Sequence, residues 1–237
     1  MENGSIGRQR LRHQTEAAGR AGSSPPDGSE PGSTRDRLLD SAARLFAEKG
    51  IANVSIAEIV RGAGQRNVSA VHYHFGGRDE VLREVLARHV PAIADRRIEL
   101  LGESRTHAAS GPRSAVEAIV RPLTEFAQRG WRERCYLQIG SELTGSLSEA
   151  APAVQALMAE TAGYEAWEEF RSRCPAVPED LWWVRREICI VFIGRAAADR
   201  ARQLDGVDGT AILSDDRFVD NLIDMVIGAM SASHGEG

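Results

Sequence analysis

The chain has 237 residues, 42% of them apolar and 27% charged, with a formal net charge of −5. That is ordinary globular composition, enough for one or two domains with a core that needs no staples. No apolar run reaches the ~18–20 residues of a membrane span and no apolar signal segment opens the chain. Cys135, Cys174 and Cys189 have neither disulfide-framework nor zinc-site spacing, so a reducing cytoplasmic setting is expected.

Residues 1–33 are rich in glycine and proline, with Ile6 and Leu11 as their large apolar side chains. Such a stretch cannot offset its chain entropy by burial, so a disordered tail is expected. Arg8, Arg10 and Arg12 make it a basic arm or an inert one. The charge is uneven beyond it. Residues 34–90 carry nine basic against seven acidic side chains, and residues 91–237 sixteen against twenty-three. A slightly basic leading section joined to an acidic body favours polyanion contact at the front only.

From Thr34 the pattern is helical, with Leu38, Leu39, Ala42, Leu45 and Phe46 on one face, Thr34 as cap and Gly50 as stop. A second helix opens at Ser55, where Ser55 and Glu58 form a capping box, and ends near Gly62. After a turn at Gly64, Asn67 caps a short third helix from Val68 to Phe75, broken by Gly76 and Gly77. A fourth runs from about Asp79, with Pro91 as a kink. Further helices are predicted over 112–129 (kinked at Pro122), 132–146, 150–173, 179–204 and 214–231, with Gly and Pro marking the joints. No strand pattern and no repeat is present. The expected fold is all-α.

Residues 55–75 therefore form a helix-turn-helix, whose second helix lies in the DNA major groove. Ile56, Ile59 and Val60 hold its first helix to the core, and Val68 and Val71 are expected to hold the second. Asn67, Ser69, Ala70, His72, Tyr73 and His74 then share the outer face, with Tyr73 divided between core and surface, and Arg66 and Arg78 flank it. Polar groups of this kind reach base edges and phosphates. A metal on His72 and His74 is excluded, because positions i and i+2 of a helix point about 200° apart. Spacing alone is moderately specific, since any three-helix domain contains such a pair.

The longer strings are more specific. Residues 34–50 (TRDRLLDSAARLFAEKG) resemble the first helix of the TetR family of bacterial transcription regulators. Residues 55–64 (SIAEIVRGAG) resemble its second, and residues 71–82 (VHYHFGGRDEVL) the end of its recognition helix and the start of its fourth. The resemblance covers about residues 34–85. It implies a homodimer with one helix-turn-helix per subunit and a C-terminal domain whose small effector releases DNA. It also places Ser55, Arg66, Asn67, Ser69, His72, His74 and Arg78 where family members contact DNA. Two departures stand out: the stretch from Gly64 to Phe75 is one residue longer than the commonest form, and Arg78 replaces the usual lysine. Arginine keeps the charge and can grip phosphate with two bonds.

In the remainder, Phe126, Trp131, Tyr136, Tyr164, Trp167 and Phe170 are either core or the wall of an effector pocket. The candidate pocket residues are Phe126, Trp131, Cys135, Gln138, Glu142, Tyr164 and Trp167. Residues 190–198 are apolar nearly all round, with Gly194 and Ala198 allowing close approach of another helix. Ile188, Val191, Phe192 and Arg195, with Phe218, Leu222, Met225 and Val226, form the candidate dimer interface, an isologous four-helix contact. Intramolecular burial is the alternative.

The expected organisation is a tail (1–33), a helix-turn-helix domain (34–80) and an effector-binding and dimerisation domain (81–237). The expected protein is a dimeric regulator, most simply a repressor, on a palindromic double-stranded operator. A small apolar effector is its other partner, with no cofactor, metal or membrane. No nucleophile elbow, phosphate-cradling loop or H-E-x-x-H motif points to an enzyme. The competing reading is a helical ligand-binding or scaffolding dimer with a degenerate helix-turn-helix.

Overall fold

Ser33, not Thr34, starts the first helix: its hydroxyl accepts the Asp36 N–H at 3.1 Å. The computed structural model describes residues 32–106, 111–174, 177–206 and 213–233, with the side chain of Ala70 excepted. The expectations for residues 1–31, the basic arm included, lie outside the described residues. Helix α1 spans Thr34–Lys49 and ends at Gly50, whose φ of 85° is in the left-handed region and whose N–H donates to Phe46. A single 3-10 turn (Ile51–Asn53) leads to α2 (Ile56–Gly62). The capping box is present: the Ser55 hydroxyl accepts the Glu58 N–H, and the Glu58 carboxylate accepts the Ser55 N–H at 2.9 Å. Lys49 adds an ion pair at 2.8 Å. Together, with Lys49 contributing most, they hold the Glu58 carboxyl down to about 2.

Helix α3 spans Ser69–Phe75. Asn67, expected as its cap, lies one residue before the N-cap Val68, and its Oδ1 accepts the Ser69 N–H at 2.9 Å. The predicted fourth helix is two helices, α4 (Arg78–Ala87) and α5 (Val90–Thr106). Pro91 lies in the first turn of α5, where a missing N–H costs nothing, so it begins a helix and does not kink one.

Helix α6 (Pro112–Ala127) runs on through Pro122, and α7 spans Trp131–Thr144. The single helix expected over 150–173 is divided into α8 (Pro152–Ala159) and α9 (Gly163–Arg173). Ala162 reverses the chain there with φ 54°, and Arg97 of α5 donates to the Thr161 carbonyl at 2.7 Å. Helices α10 (Glu179–Asp205) and α11 (Asp215–Met230) complete the chain. The fold is all-α, with no strand among the described residues.

Two apolar clusters hold these helices. One joins Leu38, Phe46, Ile59, Val71, Val85 and Leu86 of α1–α4 to Ile139 and Leu143 of α7 and Ala197 and Ala201 of α10. The other joins α5, α6, α9, α10 and α11 around Trp167, Phe170, Trp182, Ile223 and Val226. The first cluster crosses the boundary near residue 80, so the head has no core separate from the body. Around it, Arg132 of α7 grips Asp40 of α1 with two bonds (2.8 and 2.6 Å), and Arg44 lies 4.0 Å over the Trp131 ring. Gly194 serves an intramolecular contact: a Cβ there would meet the Thr144 hydroxyl at 3.3 Å, so the glycine lets α10 approach α7 within one subunit.

Candidate nucleic-acid interface and candidate effector cavity

Helix α3 is fixed by Val71 and Phe75, one turn apart and buried in the first cluster. Val68 is not a core residue. It precedes the first turn as the N-cap and is 40% exposed. Most of the other described side chains of α3 face solvent. Ser69, His72 and Tyr73 are exposed, Tyr73 by 75%, and His74 is half-buried with its ring edge-on to Tyr73. Arg66 and Asn67, just before α3, are also exposed. His72 Nδ1 lies 3.1 Å from the Gly76 carbonyl and donates to it, which leaves Nε2 facing outward from that bond. The Ser55 hydroxyl, exposed, is engaged in the capping box.

Electrostatics favours the same face. Residues 59–78 contain three arginines and two histidines but no Asp or Glu, in a chain of net charge −5. This acid-free window was available in the sequence as a sharper signal than the segment charges.

Arg78, expected to grip phosphate, is also bonded within the fold. Its Nε donates to the Val54 carbonyl at 2.9 Å, and its guanidinium lies 5.7 Å over the Phe46 ring. The side chain ties the loop before α2 to α4. A cavity of about 260 Å³ lies beside it between head and body, lined by Ile51, Glu142, Ser146 and Val154 among others.

A second cavity, of about 240 Å³, lies inside the body between α5, α6, α7, α9 and α10. Tyr164 and Trp167 line it as expected, although Tyr164 is 60% exposed overall. The other candidate pocket residues do not. Phe126 is core, edge-on to His89 and Tyr136. Cys135 is core, and burial pushes its thiol up to about 11, which leaves no reactive thiolate. Trp131 is sandwiched between Arg44 and Arg132 at the α1–α7 junction. Gln138 is half-buried outside the cavity. Glu142 reaches the head instead, its carboxylate accepting the Ile51 N–H at 3.0 Å. The error is angular. The lining residues of α7 are Tyr136, Leu137, Gly140, Ser141 and Thr144, which share one face, and positions 138 and 142 lie beyond its edge, each about 100° past Leu137 or Ser141. Arg97, Ser141, Thr144, Thr161 and Arg186 are polar lining that sequence reasoning missed, and Tyr136, read as core or pocket wall, is both buried and part of the lining.

The candidate interface residues divide in two. Ile188 (62% exposed), Val191 (44%) and Met225 (49%) form an outward apolar face with Trp183 and Val184. Arg195 is exposed and pairs with Asp199 at 3.0 Å. Phe192 and Phe218 are half-buried, Phe218 under the Arg200 guanidinium. Leu222 and Val226 are not at the surface. They lie in the second cluster, because the apolar stripe of α11 packs on α6 within one subunit.

One expectation follows from Arg78. Replacing it by alanine leaves the Val54 carbonyl without its donor, which costs about 1–3 kcal/mol when the group is shielded from water. Arg78→Ala should lower the thermal unfolding midpoint followed by circular dichroism, and Arg66→Ala should not. Equal midpoints for Arg78→Ala and the parent would contradict the bracing role.

Comparison with known proteins agrees with this arrangement. Residues 38–85 match the family model for bacterial regulatory proteins of the tetR family. The chain is similar to the HTH-type transcriptional regulator SrpR of Pseudomonas putida, 41% identical over 54 residues, which is 23% of this chain and 25% of SrpR. The matched part is thus about a quarter of that relative's length. It is 26% identical to the HTH-type transcriptional regulator AcrR of Shigella flexneri over 167 residues, 68% of this chain and 74% of AcrR. Among solved structures, a TetR-family transcriptional regulator from Bordetella parapertussis shares the fold with a TM-score of 0.56 and 19% identity, over 81% of this chain and 93% of that one. The ketosteroid transcriptional regulator KstR2 of Mycobacterium tuberculosis does so with 0.55 and 16%, over 86% and 98%. An N-terminal helix-turn-helix segment that matches the tetR-family model is thus joined to a helical body that shares the fold of these solved structures.

Proposed function

We propose that the chain is a homodimeric DNA-binding transcription regulator, a repressor that a small effector releases from a palindromic operator. The observation that carries this reading is the acid-free outer face of α3, with Arg66, Asn67, Ser69, His72 and Tyr73 exposed and Val71 and Phe75 as anchors. In this reading Asn67, Ser69, His72 and Tyr73 read base edges in the major groove. Arg66 and backbone amides set register on phosphates. The tie from Arg78 to Val54 holds α2 and α4 in register, so Arg78 positions the reading head.

The same reading gives α7 the coupling role. One face of α7 lines the internal cavity through Tyr136, Gly140 and Thr144. Its other side holds the head through Glu142 on the Ile51 N–H and Arg132 on Asp40. An effector that shifts α7 therefore shifts the head, and in a dimer it changes the separation of two α3 helices. Its influence equals its difference in affinity between the two arrangements. The outward face of Ile188, Val191 and Met225 is the surface assigned to the second copy.

Two measurements test the proposal. Fluorescence anisotropy on DNA from upstream of the chain's own gene, beside a scrambled duplex, should give selective binding that weakens linearly in log[salt]. Tyr73→Ala should reduce selective affinity by about tenfold or more, since a lost base contact costs about 1–3 kcal/mol, with unfolding unchanged. Equal binding to every fragment of a genome-wide selection would remove the sequence-reading role. Separately, Ile188→Asp and Val191→Asp should each give monomers by light scattering, with operator binding lost. Intact dimers for both would remove the interface assignment.

A further inference from the structure

The internal cavity has an unbalanced lining. Its charged side chains are Arg97 and Arg186, and no Asp or Glu lines it. Arg97 is 7% exposed. One of its donors is satisfied by the Thr161 carbonyl at 2.7 Å, but its Nε is buried without a partner. Burial pulls this guanidinium below its usual range, and attraction to Tyr136 and Glu165 opposes that only in part. Arg186 repeats the pattern. Its Nε is likewise buried and unpartnered, although its Nη2 meets the neighbouring Glu187 at 3.0 Å and its guanidinium stacks 4.6 Å over Trp183.

A buried cation is held in a fold when something pairs with it. Two guanidiniums with orphaned donors in one cavity ask for an anion. The rest of the wall asks for hydrocarbon: Ile93, Ile119, Leu123, Trp167, Ile190 and Ile193. The volume, about 240 Å³, suits a small molecule and not a polymer. A carboxylate matches the planar fork of a guanidinium with two parallel bonds and carries one negative charge. A phosphate monoester brings nearly two charges into the same largely apolar space.

We propose that the effector is an amphipathic carboxylic acid whose head group is held by Arg97, with Arg186 as second donor, and whose apolar body fills the cavity against Trp167. This rests on the reading of that cavity as the effector site. It narrows an apolar effector of any kind to one with an anionic head. It also gives the ligand a handle on the fold. Arg97 braces the Thr161–Ala162 break between α8 and α9, so an anion drawn to its Nε acts on a segment whose Thr161 is itself part of the lining.

The test is direct binding to the full-length protein without DNA. Tryptophan fluorescence, with Trp167 in the wall, and calorimetry would report on a series of n-alkanoates from hexanoate to tetradecanoate below their micelle concentrations. Each acid would be run beside the alcohol, amine and phosphate monoester of the same chain. At least one alkanoate should bind about tenfold or more tightly than its alcohol and its phosphate ester, a gain of the size of one charge-assisted contact, with no binding by the amine. Arg97→Gln, which keeps a donor for Thr161, should abolish the preference for acid over alcohol. Arg186→Gln should reduce that preference, and decides the question if the Arg97 variant fails to fold by circular dichroism. The proposal is overturned if no alkanoate binds, if alcohols or phosphate esters bind as tightly, or if both folded variants keep the full preference. Because no DNA is present, absence of operator binding would count against the regulator reading and leave this result unaffected.

Discussion

Helix α7 serves two surfaces at once, and the rest of the molecule depends on it. Ile139 and Leu143 complete the core of the head against α1, while Tyr136, Gly140 and Thr144 line the internal cavity. Magnitudes decide which contacts hold the junction. A buried Ile or Leu contributes about 1.5–3 kcal/mol, whereas a part-exposed pair such as Arg132 with Asp40 contributes about 0–1 kcal/mol. The apolar cluster fixes the junction, and the ion pairs and the Glu142 bond to Ile51 fix its angle. A head without its own core cannot move independently of α7. That constraint links a ligand in the body to the direction in which α3 points.

Charge is arranged along the same axis. Arginines of the body are matched with acids on neighbouring helices: Arg96 with Glu125, Arg113 with Asp220 and Asp224, and Arg134 with Asp205. The window around α3 contains no acid at all. In a net negative chain, that acid-free face is the one that the proposed function needs. Inside the body, Arg97 and Arg186 each leave a buried Nε without a partner in a largely apolar wall, although Arg186 also meets Glu187.

Local signals were legible in the sequence where the cause is local. The capping box of Ser55 and Glu58, the stop at Gly50 and the Asn67 turn each depend on residues within four positions, and each is present. Ser33 and Thr34 are both hydroxyls, so the first cap was displaced by one. Distant causes were not legible. The break at Ala162 is braced by Arg97 through the carbonyl of Thr161, 64 residues away, and nothing near residue 162 demands a left-handed alanine. Periodicity marks an apolar stripe but not what it faces. On α7 it led to the wrong side of the helix, and on α11 it merged Leu222 and Val226, which pack on α6, with Met225, which faces solvent. Arg78 was recognised by its charge, but its bond to Val54 is a tertiary fact.

The central claim is that head and body are one cooperative unit through α1 and α7. Native-state hydrogen exchange on the intact protein tests it most directly. The amides of Ala42 and Phe46 in α1 and of Ile139 and Leu143 in α7 should open with the same free energy, equal to that of global unfolding. Exchange of α1–α4 as a separate, weaker unit while α7 stays protected would contradict the account.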